Sequence, residues 1–260
     1  FIELGPLTIH FYAIAILTGI AVAIYWGNAR FVAAGGAPGR VAEVAIIAVP
    51  MGVIGGRIYH VISSPQGYFG DNGRPIEIFY IWQGGLGIWG AISLGLAAAW
   101  WSFKRNKISA ANSLTFGVFA DALAPGVVVA QAIGRWGNWF NVELFGRPTT
   151  LPWGLEVPMR FRPDGFTEFA TFHPTFIYES IWCLIVAFLL LRFEKFRMAP
   201  GSIFIAYVAL YSFGRIFIES LRIDDANLIL GLRLNIWVGI LVCAVSSATL
   251  IKRWKIATRG

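Results

Sequence analysis

Seven separated apolar stretches, each near the length of a bilayer crossing, constrain this 260-residue chain more than anything else in it. A hydrocarbon layer of about 30 Å takes roughly 20 helical residues, and a helix satisfies its own backbone groups where water is missing. The stretches run approximately 9–26, 42–62, 84–101, 112–134, 175–191, 202–219 and 235–251. A soluble core of this size does not need so many, and only 13% of the residues are charged, against about a quarter in soluble domains. The expected fold class is all-α: a polytopic membrane protein with seven transmembrane helices.

The formal charge of +7 would suggest nucleic acid in a soluble protein. Here all five lysines (Lys104, Lys107, Lys195, Lys252 and Lys255) fall in short polar stretches between or after the spans. No nucleic-acid partner is expected. Arg30, Arg40, Arg105, Arg192 and Arg197 share those stretches, whereas the alternate connections hold Asp71, Glu156, Asp164, Glu168, Asp224 and Asp225. The positive-inside rule then puts the N-terminus outside and the C-terminus in the cytoplasm. The first apolar run carries His10 and Tyr12 with no basic stretch before it, so it reads as a retained span and not as a cleaved signal.

Cys183 and Cys243 lie in different apolar runs, and three histidines are scattered along the chain. Neither a disulfide framework nor a metal site follows from that set, and no cofactor is expected. There is no HExxH, paired-aspartate cluster, GxSxG or SxxK pattern, which argues against metal-dependent phosphotransfer and serine acyl hydrolysis. No internal repeat of the transporter kind is evident.

Two external segments stand out. Residues 63–76 are rich in Gly, Pro and Asn and read as a surface loop before a short interfacial helix at 77–82. Residues 138–173 are too long for a simple connection. With Pro148, Pro152, Pro158 and Pro163 interleaved with Trp153, Phe161, Phe166 and Phe169, they suit a small extracytoplasmic cap inserted into a single seven-helix domain spanning 1–260.

Ionisable residues inside or beside apolar spans are costly and mark function or pairing. Here they are Arg57, Asp121, Arg135, Glu179, Arg215 and Glu219. Tyr211, Arg215 and Glu219 recur every four residues and share one helix face. An Arg215–Glu219 pair that only neutralises itself is the bland reading. Arg135 weakens it, since two arginines from separate spans can grip one dianion in forked geometry, with Glu219 orienting Arg215. Arg57 follows Gly55-Gly56 and reads equally as a packing arginine bonded to carbonyls or as a functional one. Asp121 precedes Ala124-Pro125-Gly126 and is expected to cap a helix restart after a proline kink. His173 and Glu179 are expected to secure the cap to the bundle. Trp136 and Trp139 either line a lipid path or belong to the interfacial belt. The glycines from Gly84 to Gly90 allow a close helix contact or room for a headgroup at Gly90.

The run from Gly134 to Gly146, GRWGNWFNVELFG, closely resembles the motif of the bacterial prolipoprotein diacylglyceryl transferases. The likeness extends through Ile9-His10-Phe11-Tyr12, Gly55-Gly56-Arg57, His173-Pro174 to Tyr178-Glu179, and Tyr211, Arg215 and Glu219 at four-residue spacing. It implies a seven-span bacterial inner-membrane enzyme. Such an enzyme moves the diacylglyceryl group of phosphatidylglycerol onto the lipobox cysteine of a preprolipoprotein and releases glycerol phosphate. It also implies Arg135 and Arg215 as the essential pair, and roles in activity or lipid binding for Tyr12, Asn138, Glu143, Gly146, Tyr211 and Glu219. Read from the residues themselves, Tyr211 and Glu219 join the catalytic pair, and His10, Asn141, Arg57 and Gly90 join the substrate-binding set. Many family members carry a histidine where this chain has Trp89. Either the thiol's proton acceptor lies elsewhere, with Glu219 and His10 as candidates, or the reaction needs no histidine there and the positive potential of the two arginines alone activates the thiol. A transporter using the same arginines to select an anion or lipid is the alternative reading.

Overall fold

The structure is a computed structural model that describes residues 2–4, 7–9, 11–69, 73–105, 114–196, 198–224 and 228–257. In chain order the elements are β1 (Ile2–Leu4), β2 (Leu7–Ile9), α1 (Phe11–Ala33), α2 (Arg40–Ser63), α3 (Gln66–Phe69), α4 (Ile88–Arg105), α5 (Phe116–Asn141), β3 (Leu155–Glu156), β4 (Thr171–Phe172), α6 (Thr175–Phe193), α7 (Ser202–Leu221), β5 (Leu228–Ile229), β6 (Leu232–Arg233) and α8 (Leu234–Ala257). The strands pair as three short antiparallel hairpins. Two 3₁₀ turns, Pro75–Phe79 and Ile81–Gln83, stand where a single interfacial helix was expected.

Six helices among the described residues are long and apolar enough to cross a membrane: α1, α2, α5, α6, α7 and α8. The exception, α4, has 18 residues and ends in Lys104 and Arg105, so its apolar part is shorter. Large apolar side chains such as Leu17, Ile46, Ile62 and Leu241 point outward from the spans, as a lipid-facing surface requires.

The chain divides into two compact units, residues 31–116 and residues 1–30 with 117–260. In the smaller unit α2 and α4 meet glycine to glycine. A Cβ on Gly55 would strike the Gly90 carbonyl, and one on Gly90 would strike the Gly55 carbonyl. Small residues permit this backbone approach where lipid supplies no hydrophobic drive. Arg57 is buried and spends its guanidinium on carbonyls: Nε on Ile78 at 2.7 Å, Nη1 on Gly84 and Gly85 at 2.8 and 3.1 Å, and Nη2 on Glu77. It fastens the loop after α2, with the Tyr68 ring over the cation at 5.3 Å.

In the larger unit the core lies between α5, α6 and α7. Ala124, Val128 and Ala132 recur every four residues along α5 and pack on Cys183, Val186, Ala187 and Leu190 of α6 and Ile203 and Ala206 of α7. Pro125 is accommodated within α5 and no helix restart follows it. Asp121 therefore has a different job from the one expected. Its carboxylate accepts the Gly201 and Phe204 backbone N–H groups at 2.6 and 2.8 Å, so it caps the start of α7 from a neighbouring helix.

Between α5 and α6 the chain folds on itself. Phe145, Val157 and Phe172 form a buried cluster, with Val142, Leu155, Phe166 and Ile223 packed around it. Trp153 donates to the Tyr178 hydroxyl at 2.9 Å, and His173 Nδ1 lies 3.1 Å from the same oxygen. His173 and Trp153 thus tie this segment to Tyr178 of α6.

Candidate functional site

The polar centre of the larger unit forms where the C-terminal parts of α5 and α7 meet the first turns of α6. Arg135 of α5 and Arg215 of α7 reach the same carboxylate from two sides. Arg135 Nη2 lies 2.8 Å from Glu179 Oε1, and Arg215 Nη1 lies 2.8 Å from Glu179 Oε2. The Tyr211 hydroxyl donates to Glu179 Oε1 at 2.8 Å. Glu179 is buried, at 3% exposure. An isolated carboxylate there would cost several kcal/mol, so its three donors are a condition of folding.

A second carboxylate continues the chain of charges. Glu219, with 0% exposure, accepts Arg215 Nη2 at 2.7 Å, Arg233 Nε at 2.8 Å and Asn235 Nδ2 at 3.1 Å, with Arg222 at 3.9 Å. Arg222 and Arg233 then converge on Asp224 at 2.6 and 2.9 Å. Burial pushes the Asp224 carboxyl up, but the hydrogen bonds and charge of Arg222 and Arg233 outweigh it and hold the pKa below the usual aspartate value. Burial alone would lower the Arg233 pKa; its bonds to Glu219 and Asp224 raise it instead. Among the described residues, four guanidinium groups here face three carboxylates.

The turn after α5 is strained and held shut. Val142 and Leu144 have φ of 51° and 56°, the left-handed region that non-glycine residues seldom adopt, at about 1–3 kcal/mol each. Asn138 and Asn141 both donate to Glu143 Oε1, at 2.9 and 3.0 Å, and the Glu143 N–H returns to the Asn138 carbonyl at 3.2 Å. These three expected site residues clip the turn that follows Arg135. Gly146 comes next, paired with Arg222 in an isolated bridge. A Cβ there would lie 2.8 Å from Thr175 Cγ2 and 2.9 Å from the Leu221 carbonyl oxygen. Glycine is needed for the chain to pass this close to the start of α6 and the end of α7.

Tyr12, near the start of α1, lies over Gly137 of α5: a Cβ on that glycine would sit 2.5 Å from the Tyr12 ring. Phe11 stacks on Phe140, with centroids 4.6 Å apart. This brings Tyr12 to the same end of α5 as Arg135. His10 lies outside the described residues. Arg57 and Gly90 belong to the smaller unit, where the first fastens a loop and the second lets α2 approach. Trp136 and Trp139 are about half exposed, at 50% and 46%, on the surface of the segment that carries Arg135.

Sequence reasoning missed Glu179 as the arginines' shared partner, and it missed Arg222, Arg233 and Asn235 altogether. The signal for Glu179 was its charge beside an apolar run, which demands a cation.

Fold and site together define a polytopic helical membrane protein with a buried arginine–carboxylate centre. A sequence model of the family described as prolipoprotein diacylglyceryl transferase matches residues 1–252. The chain is 51% identical over 251 residues, covering 96% of itself and 77% of the relative, to phosphatidylglycerol–prolipoprotein diacylglyceryl transferase 2 of Streptomyces coelicolor. It is 53% identical over 234 residues to the Cutibacterium acnes transferase of the same name, covering 90% of itself and 77% of that protein. With the Streptomyces griseus transferase it shares 51% identity over 243 residues, 93% of this chain and 71% of the relative. The chain belongs to the prolipoprotein diacylglyceryl transferase family.

Proposed function

We infer that this chain transfers the diacylglyceryl group of phosphatidylglycerol to a prolipoprotein, the first step of lipoprotein maturation. The acceptor is the lipobox cysteine thiol, the coproduct is glycerol phosphate, and the setting is the bacterial inner membrane. We place the N-terminus outside and the C-terminus in the cytoplasm, with α4 as a seventh crossing and the 138–173 segment as an extracytoplasmic cap. The lysine-rich connections support that orientation.

One observation carries the reading: Arg135 and Arg215, from two different helices, converge on the two oxygens of a single carboxylate. Guanidinium groups arranged for one carboxylate also suit two oxygens of one phosphate. The reaction breaks the carbon–oxygen bond at a primary glyceryl carbon while sulfur attacks, and charge builds on the departing phosphate. Fixed donors beside that charge stabilise the transition state more than the ground state. Glu219, backed by Arg233 and Asn235, orients Arg215; Tyr211 and Tyr12 are hydrogen-bond donors at the lipid end.

The test is transfer of label from phosphatidylglycerol to a lipobox peptide by purified protein in detergent. Label on the peptide supports the enzyme. Lipid or anion flux in liposomes without transfer would support the transporter instead, although the relatives described above are all transferases.

A further inference from the structure

Glu179 has the position of the missing proton acceptor. We propose that it holds the arginine pair in the resting enzyme, yields it to the lipid phosphate, and then takes the proton of the acceptor thiol. The proposal rests on the transferase reading and deepens it. Three observations lead to it. Glu179 is the carboxylate that Arg135 and Arg215 share, one oxygen each, so an arriving phosphate diester competes for the same donors. Glu219 is committed elsewhere, with both oxygens bound by Arg215, Arg233 and Asn235 and no surface exposed. Within the larger unit the described histidine, His173, is engaged with Tyr178.

While both guanidinium groups hold it, both oxygens of Glu179 are occupied by donors and neither faces an incoming thiol. Once they turn to the phosphate, the carboxylate keeps the Tyr211 hydroxyl as its one donor among the described residues, and an oxygen is left open to take the thiol proton. Lipid binding therefore switches the base on. The step then balances. The thiol proton passes to Glu179, the sulfur lone pair forms the bond to the glyceryl carbon, and the carbon–oxygen electrons leave on the phosphate. The diester monoanion becomes a monoester dianion as Glu179 becomes neutral. The monoester's second ionisation is near pH 6 (about that value), so it can take the proton from Glu179. The restored carboxylate reclaims both arginines and expels glycerol phosphate.

Glu179→Gln tests this with two nucleophiles: a lipobox peptide carrying cysteine and one carrying selenocysteine, whose selenol is already ionised at neutral pH. The variant is expected to bind labelled phosphatidylglycerol within a few-fold of the parent and to lose at least about 100-fold in transfer to the thiol, the usual weight of a general base. In a single turnover, which does not read product release, transfer to the selenol should return to within about tenfold of the parent with that same peptide, since no proton needs removing. Equal loss with both peptides, or near-parent thiol transfer, would overturn the proposal. Glu179→Asp guards against a folding defect. It keeps a carboxylate, and its loss should again be larger for thiol than for selenol; an equal loss counts against the base. Arg135→Ala and Arg215→Ala report separately on the underlying reading, because they should weaken phosphatidylglycerol binding and slow both peptides alike. Unchanged lipid binding there would sink the clamp whatever Glu179 does.

Discussion

Arg215 and Arg135 are not equivalent, and the difference yields a prediction about stability as well as rate. Arg215 bridges two buried carboxylates with separate nitrogens, Nη1 on Glu179 and Nη2 on Glu219. Among the described residues Arg135 makes its salt bridge with Glu179. Each charge-assisted hydrogen bond contributes about 1.5–3 kcal/mol. Arg215→Ala should then lose about 3–6 kcal/mol of stability and Arg135→Ala about half of that, because the abandoned carboxylates keep other partners. Arg215→Lys has one nitrogen for two acceptors and should fall between them. In transfer activity the two alanine variants should look alike, each losing roughly 10²–10³-fold, because both remove one donor from the developing phosphate charge. Denaturant unfolding in a fixed detergent, with labelled-lipid transfer on the same preparations, measures both quantities. If Arg135→Ala proved the less stable, or if Arg215→Lys kept parental stability and turnover, the bridging argument would be wrong.

Three further outcomes follow from other residues. Gly146→Ala puts a methyl against the Leu221 carbonyl and Thr175, and overpacking of that kind costs about 1–3 kcal/mol; transfer should fall with the unfolding midpoint, because the same contact positions Arg222. Asp121→Ala strips the cap from α7 and should destabilise the protein by about 1–2 kcal/mol, read by thermal unfolding. Asp224 has a folded pKa below its unfolded value of 3.8, so its stabilising contribution is complete above that value and lost as the pH falls through the folded one. The stability gap between the parent and Asp224→Asn should accordingly be constant near neutrality and close in acid, as unfolding midpoints across a pH series will reveal.

The long apolar runs and the arginines within them were legible because desolvation leaves a simple demand: a charge in such a run needs a partner. Periodicity also revealed the Arg215–Glu219 pair, since both lie on one helix face. What it cannot reveal is a partner on another helix. Glu179 was read with its sequence neighbours as a fastening for the cap, but its carboxylate is spent on Arg135, Arg215 and Tyr211. Asp121 was assigned to its own helix for the same reason and caps a different one. The end of α5 was placed at Gly134, yet the helix continues to Asn141. Its Asn-rich ending was read as ligand chemistry; the structure adds that Asn138 and Asn141 each donate to Glu143. Arg57 shows the converse: the carbonyl-bonded alternative, legible from its glycine neighbours, is the arrangement found.

The Asp121 cap also acts as a common zero for two measuring rods. From Asp121 to Arg135 along α5 is about 21 Å of helix, and from Ser202 to Arg215 along α7 about 20 Å, at the standard rise per residue. Two parallel arms of matched length, pinned at one end, deliver their guanidinium groups to the same height at the other. Inserting a single residue between Asp121 and Arg135 would turn that arm by about 100° and leave the pair out of alignment, however well each helix formed.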